Sequence, residues 1–342
     1  MGERTDTDRR VGVSVVIVSY RNSTTISGCL EALAKAGPGI GMDVTVVDNA
    51  SGDRTAEAVR LAAQSAALRA RIIERTVNGG FADGCQVGAA ATQGRWLLFL
   101  NPDTVIAPGA IDALLRCARD HPTAGIVGGR FVHADGTIDP RSWWGKPTPW
   151  SELCFALGLS SLLPGSPLFD PESPRPWTAD PDEEQLAPVV SGALMLVKRE
   201  LWDQLDGFDP VFFMYAEDAD FCLRAAALGY RPMVTARAVC QHEGGKSSSS
   251  ERKLVLLFTG KATLVRRHFP PGLRTAGIGL LLTGVFLRAA ASTVNGSASP
   301  ARQQRPTARG ADWRALWSAR REWRRGWASA VPSPPDNRQD FV

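Results

Sequence analysis

Glu217 and Asp218 stand side by side where the pattern predicts a helix to begin, directly after Phe212, Phe213, Met214 and Tyr215. Carboxylates at a helix start are favoured by the macrodipole whether or not they react. Flanked by aromatic residues at a pocket edge, one of them could also act as a general base toward a hydroxyl. Asp220 and Arg224 follow on the next turns. Asp103 lies just beyond the apolar run RWLLFL (95–100), in the Pro-stiffened turn Asn101-Pro102-Asp103. A carboxylate held there suits a hard cation, Mg2+ or Mn2+, which prefers oxygen ligands and bridges carboxylates to phosphates. Its plainer role is to cap the helix that Pro108 opens. His242, one of only four histidines, sits in Gln-His-Glu-Gly-Gly-Lys. Such a residue is either structural or a ligand, and Lys246 beyond it could meet a phosphate.

The elements that must hold these residues follow from periodicity. VSVVIVSY (13–20), MDVTVVD (42–48), residues 70–76 and RWLLFL (95–100) read as buried parallel strands. Helices are predicted over 24–36, about 54–68 with Ser51 or Asp53 as cap, about 80–92 after the Asn78-Gly79-Gly80 break, and from Pro108. This alternation with short connections indicates an open parallel sheet. Ligands bind beyond the carboxyl ends of such strands, and Asp48, Asn78 and Asp103 all fall there. Residues 133–187 read as irregular, rich in Pro, Trp and Ser. VVSGALMLVKR (189–199) returns to strand, a helix follows near 199–205, another starts at about Glu217, and RPMVTA (231–236) is a short strand that His242 follows.

Composition narrows the class. The chain of 342 residues is 44% hydrophobic, enough for one large α/β domain with appendages. Its six cysteines are scattered without a CxxC pair, which suits reduced, mostly buried thiols. The N-terminus lacks an apolar signal core, and no P-loop or strand-linked GxGxxG occurs. From Lys246 onward there are 17 Lys/Arg against 5 Asp/Glu, a local +12, leaving 22 against 30, or −8, before it. That asymmetry suggests a soluble body with a tail that meets an anionic surface.

Taken together and in order, SVVIVSYRN (14–22), VVDNASGDRT (46–55), NGGFADGCQVG (78–88), LFLNPDT (98–104), SGALMLVKR (191–199), GFDPVFFMYAEDADFCLRAAALGYR (207–231) and QHEGGKS (241–247) resemble glycosyltransferase family 2, in its rhamnosyltransferase- and galactofuranosyltransferase-like branch. The resemblance covers about residues 13–247. It implies an α/β GT-A fold, a Rossmann-like open mixed sheet, with a metal-dependent inverting transferase site. Val18, Ser19 and Tyr20 would line the nucleoside site, Asp48 would bond the pyrimidine, and Asn78, Gly80 and Phe81 would pack near the base and ribose. Asp103 matches the last acid of the family's metal motif. Asn101 stands where the motif begins with Asp, so help is needed elsewhere, and His242 matches the position that gives it in some relatives. Asp218 matches the base, with Glu217 its neighbour, and Ser191, Gly192 and Ala193 would line the acceptor side. Within the branch, the resemblance is to actinobacterial enzymes that move rhamnose from dTDP-rhamnose to a polyprenyl-diphosphate-linked N-acetylglucosamine in cell-wall or surface polysaccharide synthesis.

The expected organisation is a disordered 1–12, a GT-A domain over 13–250, a helical, membrane-associating extension over 251–295, and a basic linker with a Trp/Arg-rich helix and disordered end over 296–342. AGIGLLLTGVFL (276–287) is too short for a span of about 20 residues and reads as interfacial, re-entrant or a core helix. In WRALWSARREWRRGW (313–327), Trp313, Trp317, Trp323 and Trp327 share an arc with Leu316 and are flanked by arginines. That pattern suits the headgroup zone of an anionic bilayer, or docking on the protein itself. Expected partners are a dTDP- or UDP-sugar donor, a polyprenyl-diphosphate-linked acceptor and the cytoplasmic face of the plasma membrane, bound peripherally; nucleic acid is not among them, and a homo-oligomer is compatible. The alternatives are a galactofuranosyl- or N-acetylglucosaminyltransferase using a UDP-sugar, a nucleotidyltransferase making sugar nucleotides, and a non-catalytic membrane adaptor. A nucleotidyltransferase would carry a Gly- and Arg/Lys-rich loop after its first strand, where Tyr20-Arg21-Asn22 stands instead. An adaptor would not need Asp103, Asp218 and His242 intact.

Overall fold

β-branched residues crowd a helix but fit a pleated surface buried on both faces. In the computed structural model, β1 (Val13–Ser19) is accordingly a fully buried central strand. The structure describes residues 12–36, 41–178, 180–242, 250–294 and 310–327. Most of the N-terminal segment 1–12, Lys246 and most of the stretches 296–311 and 331–342 lie outside them. The chain forms two compact units.

The first unit comprises residues up to Trp144, Pro176–Phe213 and Glu217–Gly245. β1 alternates with α1 (Ile26–Ala36), β2 (Met42–Asp48), α2 (Thr55–Ser65), β3 (Ala70–Glu74), α3 (Gly80–Ala90) and β4 (Trp96–Leu100). β3, β2, β1 and β4 pair in parallel in that order. The rest of the unit runs β5 (Thr104–Ile106), α4 (Ala110–Asp120), β6 (Ile126–Val132), β7 (Ile138–Asp139) and β8 (Trp143–Trp144).

The second unit interrupts the first and comprises Gly145–Arg175, Met214–Ala216 and the chain from Lys246. It opens with α5 (Pro149–Ala156) and α6 (Leu159–Leu162). The first unit resumes with β9 (Glu184–Leu186), β10 (Val189–Val190), β11 (Leu194–Lys198), α7 (Arg199–Gln204), α8 (Glu217–Ala227) and β12 (Met233–His242).

The parallel sheet read from the alternation is corrected to a mixed sheet, as the family resemblance implied. β11 enters antiparallel between β4 and β6, and β12 runs parallel to β6 but antiparallel to β5. Residues 133–187, read as irregular, hold two short helices and three short strands. β12 is also longer than predicted, so His242 is its last residue and does not follow it. Neither Ser51 nor Asp53 caps α2: Arg54 holds that position without a side-chain bond, and Asp53, one residue earlier, accepts from the Thr55 amide at 3.0 Å. All six cysteines are free and buried.

The close approach of α3 to β1 needs glycine. A Cβ on Gly84 would come within 2.6 Å of Val18, and one on Gly88 would collide with Val16. Val18 is therefore a packing residue whose side chain abuts α3.

The second unit continues with α9 (Ser250–His268), α10 (Arg274–Val294), α11 (Gly310–Ser318) and α12 (Arg320–Trp323). Its core joins Val255, Phe258, Ala262 and Val265 of α9 to Ile278, Leu281 and Val285 of α10, and to Leu316 and Trp323. The single Trp/Arg helix expected over 313–327 breaks at Ala319 into α11 and α12. Its tryptophan stripe faces protein: Trp323 is fully buried beside Phe258 and donates Nε1–H to the Leu316 carbonyl at 2.8 Å. Trp313 packs on Phe155 and Trp317 on Phe286. α10 is longer than its apolar run suggested, and Pro271–Ser292 is long and apolar enough to cross a membrane. In the same unit Lys261 sits 3.1 Å from Glu152 and 3.2 Å from Glu172. Burial pushes Glu152 up to about 7 against the pull of Lys261.

Candidate active site

Asp103 and His242, read from the sequence as metal-ligating, are brought together by strand register. Asn101 leaves β4 by donating its N–H to the Ala193 carbonyl at 3.0 Å. Its own carbonyl accepts from the Thr104 N–H and Oγ1–H, closing the turn that holds Pro102 and Asp103. β5 then pairs with the end of β12, His242 opposite Thr104. Asp103, one residue earlier, thus meets the histidine: Nε2 lies 3.6 Å from Oδ1. Both side chains are mostly buried, and the His242 ring packs on Phe131 at 5.3 Å. Adjacent ligands of an octahedral ion with bonds of about 2.1 Å sit about 3 Å apart, so this oxygen–nitrogen pair fits a divalent cation with little adjustment. Arg141 is held by Asp139 (2.6 to 3.0 Å). Its pKa is raised, first by that bond and in part by the Asp103 charge, which places the Asp139–Arg141 ion pair near Asp103.

The acidic pair begins α8 immediately after two left-handed residues, Tyr215 (φ 68°) and Ala216 (φ 75°). Neither is glycine, so each costs about 1–2 kcal/mol. Such strain concentrates at sites where geometry matters more than ease of folding. Glu217 is 5% exposed. Burial first, then the Asp218 charge, hold its carboxyl well above the ordinary range. Asp218 is less buried; its Oδ2 accepts from the Gly192 N–H at 3.1 Å and its Oδ1 from the Ala219 N–H at 2.8 Å. Burial raises its pKa, and those amide bonds pull against the rise. Asp220, fully buried, pairs with Arg224 at 2.7 Å, and Arg224 donates to the carbonyls of Leu205 and Gly207. Its role is to fix the turn before the aromatic approach.

The two halves meet at Ser191–Ala193. The Ala193 carbonyl holds Asn101 on the metal side, while the Gly192 amide holds Asp218 on the other. The Ser191 hydroxyl accepts from the Ala193 N–H at 3.3 Å. The segment passes close to both sides: a Cβ on Gly192 would lie 3.3 Å from the Phe81 ring and 3.7 Å from Asp218 Cβ.

The remaining predicted residues form linked loops at the ends of β1 and β2 and at the start of α3. Asp48 Oδ1 accepts from the Ser51 N–H (3.2 Å) and from the Ser51 hydroxyl. Ser51 Oγ in turn accepts from the Arg21 N–H. Ser19 is buried and its carbonyl accepts from the Asn49 N–H, while the Tyr20 N–H donates to Asn22 Oδ1. Asn49, which sequence reasoning missed, is the hub. Its Nδ2 donates to Asn78 Oδ1 and to the Gly80 carbonyl, both at 2.9 Å, and its Oδ1 accepts from the Gly79 N–H. Gly80 has φ +87°, and a Cβ there would collide with the Phe213 carbonyl. The same carbonyl accepts from the Phe81 N–H at 2.7 Å, tying this loop to the approach of the acidic pair. Arg141 was also missed, because a stretch rich in Pro and Trp gives no periodicity. Asn49 could have been suspected as the polar neighbour of a strand-end aspartate.

Residues 14–166 match the family model "Glycosyl transferase family 2". The chain is 31% identical over 179 residues to the N-acetylglucosaminyl-diphospho-decaprenol L-rhamnosyltransferase of Mycobacterium tuberculosis, covering 50% of this chain and 54% of that protein. It thus spans about half the length of that relative. It is 25% identical over 219 residues to a low-salt glycan biosynthesis hexosyltransferase, Agl10, of Haloferax volcanii, covering 62% and 61%. Among solved structures, it is similar to the mannosyltransferase PcManGT from Pyrobaculum calidifontis in complex with GDP-Man and Mn2+, with TM-score 0.55, 22% identity and coverage of 92% of this chain and 84% of that one. It is also similar to GalNAc-T7 with UDP, GalNAc and Mn2+, with TM-score 0.56, 16% identity and coverage of 75% and 48%.

Proposed function

We propose that this protein is a metal-dependent inverting glycosyltransferase that moves a sugar, L-rhamnose from dTDP-rhamnose, onto a polyprenyl-diphosphate-linked glycan. The observation that carries the reading is the bridge of Ser191–Ala193 between the Asp103–His242 pair and Asp218. A leaving-group clamp and a base are the two parts a single displacement needs. The similarity to the mycobacterial rhamnosyltransferase supports this sugar and this acceptor class, and the Mn2+ that accompanies GDP-Man in the mannosyltransferase complex supports a divalent cation.

Asp103 and His242 would hold that cation, which offsets the charge on a departing diphosphate. Arg141, its charge offset by the bonded Asp139 carboxylate, would add N–H donors on the same side. Asp218 accepts the proton of the acceptor hydroxyl as the oxygen attacks the anomeric carbon. The Gly192 and Ala219 amides hold its oxygens in place while it does so. Glu217, kept toward its protonated form, spares the site a second adjacent negative charge. Asp48 and the Asn49-held loop at Asn78–Phe81 would receive the nucleoside. The test is a panel of dTDP- and UDP-sugars with Mg2+ or Mn2+, read first as thermal stabilisation and then as transfer to a polyprenyl-diphosphate N-acetylglucosamine. Stabilisation and transfer with dTDP-rhamnose are expected. Transfer with a UDP-sugar alone would overturn the donor assignment.

A lipid-linked acceptor calls for peripheral attachment to the cytoplasmic face of the membrane, and the second unit offers apolar surface for it. Leu157, Leu162, Leu163 and Leu168 are exposed, Leu162 to 74%, as are Leu273 and Leu287. Arg288 ties α10 to this leucine-rich segment through the Phe155 carbonyl and Ser161. Flotation with anionic vesicles tests it: wild type is expected to float and Leu162→Asp/Leu163→Asp to float less. Equal recovery of both would refute this surface.

A further inference from the structure

Cys117 lies in the last turn of α4, and His121 is the residue that caps it, its N–H donating to the Cys117 carbonyl at 2.9 Å. Glu184, on the short edge strand β9, reaches them from the sheet. The Cys117 sulfur, a His121 ring nitrogen and a Glu184 carboxylate oxygen all lie within 4.8 Å of one another. His121 Nε2 is 2.7 Å from Glu184 Oε2. Cys117 is fully buried, whereas the His121 and Glu184 side chains are 40% and 23% exposed. The trio is therefore closed on the protein side and open toward solvent. None of the three takes part in the glycosyl-transfer site, and among the described residues no other such group of three occurs.

We propose that Cys117, His121 and Glu184 form a zinc site. A thiolate, an imidazole and a carboxylate make a borderline-soft donor set, which suits Zn2+ and not the hard Mg2+ of an all-oxygen site. With Zn–S of about 2.3 Å and Zn–N or Zn–O of about 2.0–2.1 Å, tetrahedral ligands sit about 3.3–3.6 Å apart. Side-chain rotations of about an ångström bring the three atoms to that spacing. The backbone is already set, because the His121 N–H is bonded to the Cys117 carbonyl at the end of α4 and β9 is paired to β12 through Glu184 and Thr235. The fourth vertex faces solvent and takes a water. Binding is a proton exchange: the thiol gives up its proton, the sulfur's electron pair goes to the ion, and the His121–Glu184 hydrogen bond is replaced by two bonds to the metal. Without an ion the thiol is pushed up to about 12, by burial and then by the Glu184 charge, so affinity rises with pH. The ion would clip β9, and with it the strand leading into Val189–Ala193, onto the end of α4.

The experiment is metal binding by the full chain. After treatment with chelator, the protein is titrated with Zn2+ against a chelating dye, and with Co2+ followed by absorption. In the Asp103→Ala chain, whose other divalent site is disabled, one zinc is expected, together with a thiolate-to-cobalt charge-transfer band. In that background Cys117→Ser should abolish the band. His121→Ala, at a half-exposed position that the fold tolerates, should weaken zinc by at least about 100-fold with an unchanged circular dichroism spectrum. Zinc uptake that survives His121→Ala, or is lost in Asp103→Ala instead, would overturn the assignment, as would the absence of binding at micromolar zinc. None of these readouts depends on glycosyl transfer.

Discussion

Replacing Asp218 with Asn removes a base while keeping nearly the same volume, so two effects can be weighed from the structure. The carboxylate accepts two amide hydrogens, from Gly192 and Ala219. An amide side chain has one acceptor oxygen, so one backbone N–H must then face an NH2 group. Leaving such a group unsatisfied costs about 1–3 kcal/mol of stability. Losing proton abstraction costs a rate factor of about 10²–10⁴, or about 3–5 kcal/mol in the barrier at 1.36 kcal/mol per decade. The catalytic loss therefore exceeds the structural one. Donor binding should change little, because Asp103 and His242 are held by β5 and β12 and not by Asp218. The pH profile separates the two effects. Activity should rise with pH as Asp218 loses its proton, and burial moves that limb above the ordinary aspartate range. Asp218→Asn should lose the limb along with the rate. The assay is transfer to the lipid-linked acceptor across pH, with nucleotide-sugar affinity measured in parallel. Turnover within about threefold of wild type, or an unchanged acid limb, would refute the role of Asp218.

Gly80→Ala forces a Cβ into the Phe213 carbonyl at a left-handed position; donor binding should fall at least tenfold, and thermal unfolding should drop by several degrees. Lys261→Met strands Glu152 and Glu172 without their counter-ion, which should destabilise the second unit by about 3–5 kcal/mol in denaturant unfolding. Glu152 is held at about 7 when folded against an ordinary 4.5, so the folded state binds its proton more tightly. The stability this contributes is present below about 4.5 and is lost as pH rises through about 7; Glu152→Gln should flatten melting temperature across that window. Trp323→Ala removes a fully buried indole and its bond to Leu316 and should cost about 3–5 kcal/mol, read as early loss of the α9–α12 core.

Elements that carry their own signal were legible in sequence. β1, β2 and β4 are rich in β-branched or large apolar residues, and α8 begins at the acidic pair, as its aromatic approach and charged first turn indicated. Elements made by pairing were not. β6 contains Gly128 and Gly129, which look like a break, yet a Cβ at Gly128 would crowd Val190 and one at Gly129 would collide with the Ala238 carbonyl. β5 is three residues long and exists because β12 runs on to His242 beside it. The tail teaches the same point about faces. Periodicity revealed that Trp313, Trp317 and Trp323 share a side, but not what covers it, and the structure supplies α5, α9 and α10 in place of lipid headgroups.

That distinction bears on the site itself. Asp103 and His242 are 139 positions apart in sequence, and nothing local to either brings them together. They meet because β12 runs on to His242 after its register shift between Thr235 and Val239, with its last residues paired to β6 on one side and to β5 on the other. Asp218 is placed by a different device, the strained lead into α8 and the Gly192 amide. The segment Ser191–Ala193 is the common support of both, and two of its three residues touch the site through backbone groups. Such contacts leave little trace in residue type beyond smallness. The residues with reactive side chains could therefore be proposed from sequence and resemblance, while the support that sets their separation became visible only with the sheet register.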